Sequence, residues 1–400
     1  MNKVPHVKKV SLLLLLCFLP ILPGCWDRVE VEDLGILVGE AIDKPDHPED
    51  REEAVEQRGG RRHRVTLTQQ YIVPEVIGGG ERGGGAQKSA FYNQTSEGDT
   101  LYMIARDYQS MRIDRPPFGQ HIKVIVIGED AARSFGLHRL LNLFLRDQSV
   151  RRTVKVMVAT GKGRDVLNIV PPIEDLPAIH LSDLSENVDR SFRMAPVMKL
   201  KDVSQKMVEE SSFLLQQVVP DHREVKISGA AVIKGKTKRL AGWLDEEEIQ
   251  GINWLTGKGE EGVIEGVEER SKELIDYEIQ SYKTQILPEI KGGKLRFTVN
   301  IETQGRLGED WLVPGNAFEK LLKKAEKATE KQIKLVVDKA LNKTQKQLKV
   351  DVAGFGKQLS IAYPQMWMKE KKDWDKHFSR IPIDVHVKAH VVEFGTKGTK

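Results

Sequence analysis

Hydrophobic and polar positions divide the chain into segments of distinct period. Residues 34–38 form a short apolar run of the kind that makes a buried strand. Residues 64–73 alternate and are rich in β-branched side chains, which predicts a strand half-buried at period two. From Ser96 the spacing turns helical. There Gly98-Asp99-Thr100 offers a cap to a helix bearing Leu101, Ile104, Ala105 and Tyr108 on one face. Residues 123–127 predict a fully buried strand, and residues 129–145 a helix with Leu137, Leu140, Leu141 and Phe144 at helical spacing. Another strand spans 154–159 and ends at Gly161. This strand–helix–strand order predicts a mixed α/β first domain.

Residues 170–195 are punctuated by proline, and 203–217 form one amphipathic helical pattern. A strand at 225–233 leads through a turn to Arg239-Leu240-Ala241-Gly242-Trp243. Asp245 then caps a helix whose first turn is Glu246-Glu247-Glu248 and whose end lies near Gly257. Strands are expected at 276–286, 295–303 and 383–394. Between them, residues 318–348 predict a helix of roughly 45 Å at 1.5 Å per residue. The hydrophilic stretch 44–63 and the glycine run 78–85 read as loops. Together these elements predict an α+β chain long enough for two or three mixed α/β domains, divided as 25–195, 196–275 and 276–400. In the last of them the long amphipathic helix packs on an antiparallel sheet.

The first 24 residues differ from the rest. Lys3, Lys8 and Lys9 precede an apolar stretch of about 13 residues, too short for the ~20 that a spanning helix needs. That layout marks an export signal. It ends in Leu22-Pro23-Gly24-Cys25, which resembles the lipobox of bacterial lipoproteins. There the cysteine receives diacylglycerol and becomes the new N-terminus, so Cys25 is the expected lipidation site. An ordinary secretory signal with a chance cysteine, or an uncleaved anchor, is the bland alternative. Cysteine usage favours lipidation: of two cysteines, Cys17 would leave with residues 1–24, and Cys25 alone has no internal disulfide partner. Two acyl chains at about 0.8 kcal/mol per buried CH₂ give stable anchoring. Removing 1–24 takes away three lysines and no acids, leaving about +1 of the formal +4. That balance gives nucleic acid no support as a partner.

No catalytic set stands out. The glycine run lacks the Gly-Lys-Ser/Thr ending of a phosphate loop, and neither a Gly-x-Ser-x-Gly elbow nor a His-Glu-x-x-His pair occurs. The ten histidines are scattered, so neither a metal nor a cofactor is expected. His121, just before the buried strand 123–127, is either a ligand contact or a hydrogen-bonded structural histidine. Glu246-Glu247-Glu248 is either a cation site or a solvated helix start. Trp243, Trp254, Trp311, Trp367 and Trp374 either line a groove or anchor the core, their spacing favouring the core. Between Glu319 and Lys349 ten lysines face four acids. Such a face is usually just solvated, but beside anionic lipid each lysine is worth about 1 kcal/mol.

Several segments together resemble the Ger(x)C family, the C subunits of bacterial spore germinant receptors. The first is Gly24-Cys25-Trp26-Asp27-Arg28 with the run from Leu34 to Asp43; the second is Phe118-Gly119-Gln120-His121 through Gly128-Glu129, with Phe144-Leu145-Arg146-Asp147. The third runs from Gly229 to Gly235 and on through Gly242-Trp243-Leu244-Asp245 to Glu248. The fourth is Asp351-Val352-Ala353-Gly354-Phe355-Gly356 with Tyr363-Pro364-Gln365-Met366-Trp367. The resemblance implies a three-domain α+β lipoprotein on the outer face of the inner membrane of a Gram-positive spore. It implies assembly with two membrane subunits, A and B, and a part in turning nutrient binding into germination. It carries over no catalytic residue, only the lipidated cysteine, at Cys25. The rival reading is a solute-binding lipoprotein of a transporter, which calls for two doubly wound lobes around a hinge cleft.

Overall fold

The structure, a computed structural model, describes residue 30 and residues 33–46, 64–74, 89–221, 224–259, 261–310 and 318–393. Residues 1–24, Cys25, Trp26, Asp27, the glycine run 78–85, Trp311 and most of the stretch 44–63 lie outside the described residues. No described helix is long and apolar enough to cross a membrane.

The apolar run near the N-terminus becomes β1 (Gly35–Asp43), buried along nearly its whole length. On one side it pairs antiparallel with β2 (Val65–Ile72), which pairs antiparallel with β3 (Phe91–Gly98). The two-residue β4 (Pro117–Phe118) lies parallel to the start of β1. On the other side come β5 (Val124–Gly128), β6 (Lys155–Ala159) and β7 (Phe213–Asp221), all parallel. Antiparallel β8 (Glu224–Lys234) and β9 (Arg239–Leu244) complete a nine-stranded mixed sheet. Its parallel centre is covered on both faces, so β5 and β6 are buried at every position. β2 is buried too, rather than half-buried as its alternation predicts. Its second face is covered: Gln70 Nε2 donates to the Leu167 carbonyl (2.9 Å) and the Ala178 N–H donates to Gln70 Oε1 (2.9 Å).

The helical pattern after Gly98 holds as α1 (Leu101–Met103), whose Met103 N–H donates to the Thr100 hydroxyl, continued by a π turn, Ile104–Tyr108. Ser96, in contrast, belongs to β3, a polar edge strand whose sequence lacks an apolar alternation. Residues 129–145 do not form one helix but three short ones, α2 (Glu129–Ser134), α3 (Leu137–Leu140) and α4 (Asn142–Arg146). The break is fixed from outside: the Leu137 N–H donates to the Lys238 carbonyl (2.7 Å). It lets Leu137, Leu140, Leu141 and Phe144 all enter one core. After β6 come α5 (Gly163–Asn168), α6 (Pro177–Ser185) and α7 (Leu200–Val208). The helix expected over 203–217 stops at α7, because Phe213, Leu214 and Leu215 are drawn into β7 between β6 and β8. An apolar run of that length fits a buried strand as well as a helix.

The helix expected after Asp245 is α8 (Glu246–Thr256). A reciprocal Asp245–Glu248 capping box opens it, and Gly257, at φ 68°, closes it. A second sheet follows. β10 (Gly262–Val267), β11 (Leu274–Lys291) and β12 (Lys294–Asp310) are antiparallel, but β13 (Ile383–Glu393) joins β12 in parallel. The expected antiparallel sheet is therefore mixed, because the chain returns to β13 through a helical crossover. That crossover contains α9 (Phe318–Leu341), α10 (Phe355–Ala362), α11 (Pro364–Glu370) and α12 (Trp374–Phe378). α9 buries Ala325, Ile333, Val336, Val337 and Ala340 in a core shared with Ile264, Ile275 and Val299 of the sheet. Its Glu330 and Glu326 accept the N–H groups of Ala389 and Val391 in β13, each at 3.2 Å.

One core joins the two sheets, since Ala230, Val232 and Leu244 belong to the same cluster as Tyr277 and Phe297. The 195/196 junction falls between the neighbouring strands β6 and β7, and 275/276 falls inside β11. At the seam α8 crosses α9 so closely that a Cβ on Gly251 would lie 2.2 Å from the Val336 carbonyl oxygen. Gly251→Ala is therefore expected to lower the unfolding free energy by about 1–3 kcal/mol, the usual cost of overpacking. Urea denaturation measures it, and an unchanged midpoint would show that the crossing is loose.

Candidate functional site

Cys25, the lipidation site expected from the sequence, lies outside the described residues. The remaining segments that carry the resemblance can be placed, and their polar residues act at junctions between elements. Asp43 ends β1 beside β5. It accepts the N–H groups of Gly163 (2.7 Å) and Arg164 (3.0 Å) at the start of α5. Burial pushes its carboxyl up, and these two amides pull it down. Gly128 is what gives the carboxylate room, because a Cβ there would lie 2.0 Å from Asp43 Oδ1. The next residue, Glu129, accepts from Arg133 Nη2 (2.7 Å) and from Trp243 Nε1 (3.2 Å) through Oε1. Burial alone would raise its pKa, but the hydrogen bonds from Arg133 and Trp243 leave it lowered. Asp43, Gly128, Glu129 and Trp243, from three separate segments, thus form one neighbourhood.

The three glutamates after Asp245 diverge. Glu246 takes Lys226 Nζ (2.6 Å) and Ser228 Oγ (2.8 Å), Glu247 takes Lys339 Nζ (2.7 Å), and Glu248 turns back to the Asp245 N–H (2.9 Å). Among the described residues no group of His, Cys, Asp and Glu could hold a metal ion. Lys339 also reaches Asp245 (2.9 Å), and the two carboxylates raise its pKa. Lys331 meets Glu269 (2.8 Å) and Lys324 meets Glu268 (3.6 Å). Part of the basic face 319–349 therefore lies against the protein's own acids.

Asp351 explains the fourth segment. Its carboxylate accepts the N–H groups of Gly354 (2.8 Å), Phe355 (3.1 Å) and Gly356 (2.7 Å), and Trp374 Nε1 (2.8 Å). Gly354 sits at φ 87°, in the left-handed region that a side chain would resist. Burial pushes Asp351 up while the four donors oppose it. Trp374 and Trp367 pack edge to face at 5.3 Å, and Trp254 lies between Phe192 (4.7 Å) and Tyr282 (4.8 Å). These tryptophans anchor cores, as their spacing suggests. His121 is exposed, with its ring 5.8 Å from that of Phe118.

Sequence reasoning missed Glu40. It sits buried on β1, with Oε1 accepting from Gln69 Nε2 (2.9 Å) and Oε2 without a partner among the described residues. Burial pushes its pKa up to about 8, against the Gln69 hydrogen bond and with a contribution from Asp147. Nothing in its segment marks it except a charged residue inside an apolar run. Chemically, these carboxylates hold backbone amides, indoles and ammonium groups.

Residues 27–220 match the family described as "Spore germination protein N-terminal domain", and residues 228–395 that described as "Spore germination B3/GerAC like, C-terminal". The chain is 36% identical over 401 residues to the Spore germination protein YndF of Bacillus subtilis (strain 168), with 98% of each chain covered. It is 32% identical over 394 residues to the Spore germination protein A3 of the same organism, covering 98% of this chain and 99% of that one. Among solved structures, the crystal structure of the GerBC protein matches with a TM-score of 0.59 at 24% identity, over 89% of this chain and 97% of that one, a likeness of fold.

The buried Glu40 makes a prediction about pH. Its folded pKa of about 8 stands above the ordinary 4.5, so the folded state holds the proton more tightly. Its stabilising contribution is complete below about pH 4.5 and is lost as pH rises through 8. Wild-type stability is expected to fall by a few kcal/mol between pH 5 and 8. In Glu40→Gln, which keeps the side-chain shape, Glu40's share of that slope disappears. Denaturation curves at the two pH values test this, and identical slopes for both proteins would refute it.

Proposed function

The chain belongs to the Ger(x)C family of spore germination proteins, and from that premise we propose that it is the non-enzymatic, lipid-anchored subunit of a spore germinant receptor, needed for nutrient-triggered germination. The observation that carries this reading is where the motif polar groups are engaged. Asp43, Glu129, Asp245 and Asp351 each bind a backbone amide or a side chain of another element. They shape a scaffold. The solute-binding alternative calls for two doubly wound lobes, and a four-stranded sheet crossed by one long helix is not such a lobe.

Anchoring supplies what a scaffold needs. Gly35 follows Cys25 by ten positions, so a lipidated Cys25 would keep β1 within about 35 Å of the bilayer. On the outer face of the inner spore membrane, that tether raises the local concentration of the fold beside membrane subunits A and B. Modest contacts then suffice to hold a complex.

Two experiments test the reading. Cys25→Ala is expected to give a folded protein that leaves the membrane fraction and supports nutrient germination poorly. A mutant that stays membrane-bound would mean that partner contacts or an uncleaved signal hold it. Deletion of the gene is expected to abolish the response to at least one nutrient with normal sporulation. Normal germination with every nutrient, in a strain carrying no redundant receptor, would sink the proposal.

A further inference from the structure

The break of residues 129–145 into three short helices leaves a groove of about 890 Å³ between α1 with its π turn and the α3–α4 corner. Arg106, Arg139 and Arg146 line it, and all three are exposed. Asp147 is the one acid among its described lining residues, paired with Arg106 at 3.4 Å, and its Oδ1 accepts the Ser149 N–H and hydroxyl, each at 2.8 Å. The groove thus has a surplus of positive charge. His138, on its rim, registers that field: burial and then Lys238, Arg139 and Arg239 hold its pKa below the ordinary value. Apolar surface lies alongside, from Leu143 and from Tyr102, which is 62% exposed.

The composition separates this surface from the lysine face of α9. Tyr and Arg are enriched at the centres of protein interfaces, whereas Lys is depleted. Guanidinium groups bind carboxylates in two-pronged fashion, which an ammonium cannot do. A groove with three arginines, one neutralised acid and an adjoining tyrosine fits an extended segment carrying two or more carboxylates and an apolar side chain.

We propose that this groove docks an acidic segment of a partner protein, its carboxylates on Arg106, Arg139 and Arg146 and its apolar residue against Tyr102 and Leu143. This rests on reading the chain as a receptor subunit, which supplies the partners. Docking here leaves the buried node around Asp43 and the lipid anchor untouched, so tethering and recognition are separable.

The test uses the full-length lipidated chain, produced with its membrane subunits in a sporulating strain that lacks its own copy. The double variant Arg139→Glu/Arg146→Glu is expected to fold and stay membrane-bound but to co-purify about tenfold less membrane subunit, since reversing charges in such pairs costs more than 1.4 kcal/mol. The milder Arg146→Gln is expected to give a partial loss that grows with added salt. Undiminished co-purification of both variants would overturn the groove proposal and leave the receptor reading standing. If the unaltered chain itself co-purifies with no membrane subunit, the receptor reading fails and the groove proposal with it. Vesicles of phosphatidylglycerol supply the last arm: variants that lose vesicle binding but keep their subunits would place the groove on lipid, overturning the proposal.

Discussion

Parallel strands cannot be joined by a tight turn, and four of them, β1, β5, β6 and β7, form the centre of the larger sheet. Each return to the sheet needs a crossover, and the crossovers become the layers that bury both faces. Short helices and loops serve here, so their ends fall close to strand ends and leave backbone amides to be satisfied. Asp43 meets two of those amides at α5, and Gly128 keeps the space open for it. A polar group in so dry a place is tolerated because it is hydrogen-bonded. Glu40, three residues earlier on β1, has an oxygen without a partner among the described residues, and its burial raises its pKa.

The second sheet depends on the first through α8. That helix starts on a capping box, buries Ile249, Ile252 and Trp254, and lies against α9 across Gly251. Lys339 of α9 meets Asp245 and Glu247 at the start of α8, so charge and packing fix the same crossing. The exposed ion pairs are individually worth little, and the apolar seam beneath them does most of the holding. The outcome is a body whose two sheets share a core while its charged surfaces differ in kind.

Locally coded features were legible in the sequence. The α8 helix was marked at both ends, by Asp245 with Glu248 and by Gly257. The apolar, β-branched run 124–127 read as a buried strand, and α9 declared itself by its long period. What escaped was set by distant neighbours. The pattern over 203–217 held a helix and a strand, separated only because β6 and β8 offered Phe213–Gln217 a place. The split at Phe135–Gly136 is stabilised by a carbonyl a hundred residues away, at Lys238. β3 is polar and exists because β2 needed a neighbour. At the site, the motif segments could be picked out but their meeting could not: Trp243 gave no hint that its indole reaches Glu129. The parallel pairing of β13, likewise, is topology rather than local pattern.

That pairing bears on the order in which the protein can be assembled. β12 has β11 on one side and waits for β13 on the other, yet α9 to α12 are all made in between. Until β13 arrives, Phe297, Val299 and Ile301 belong to an open edge, and Glu326 and Glu330 have no Ala389 and Val391 amides to accept. The larger sheet, complete by Leu244, can close before the rest of the chain has been made. The smaller one cannot. A nascent chain would thus present a finished half and an adhesive half side by side, and its last strand is the latch.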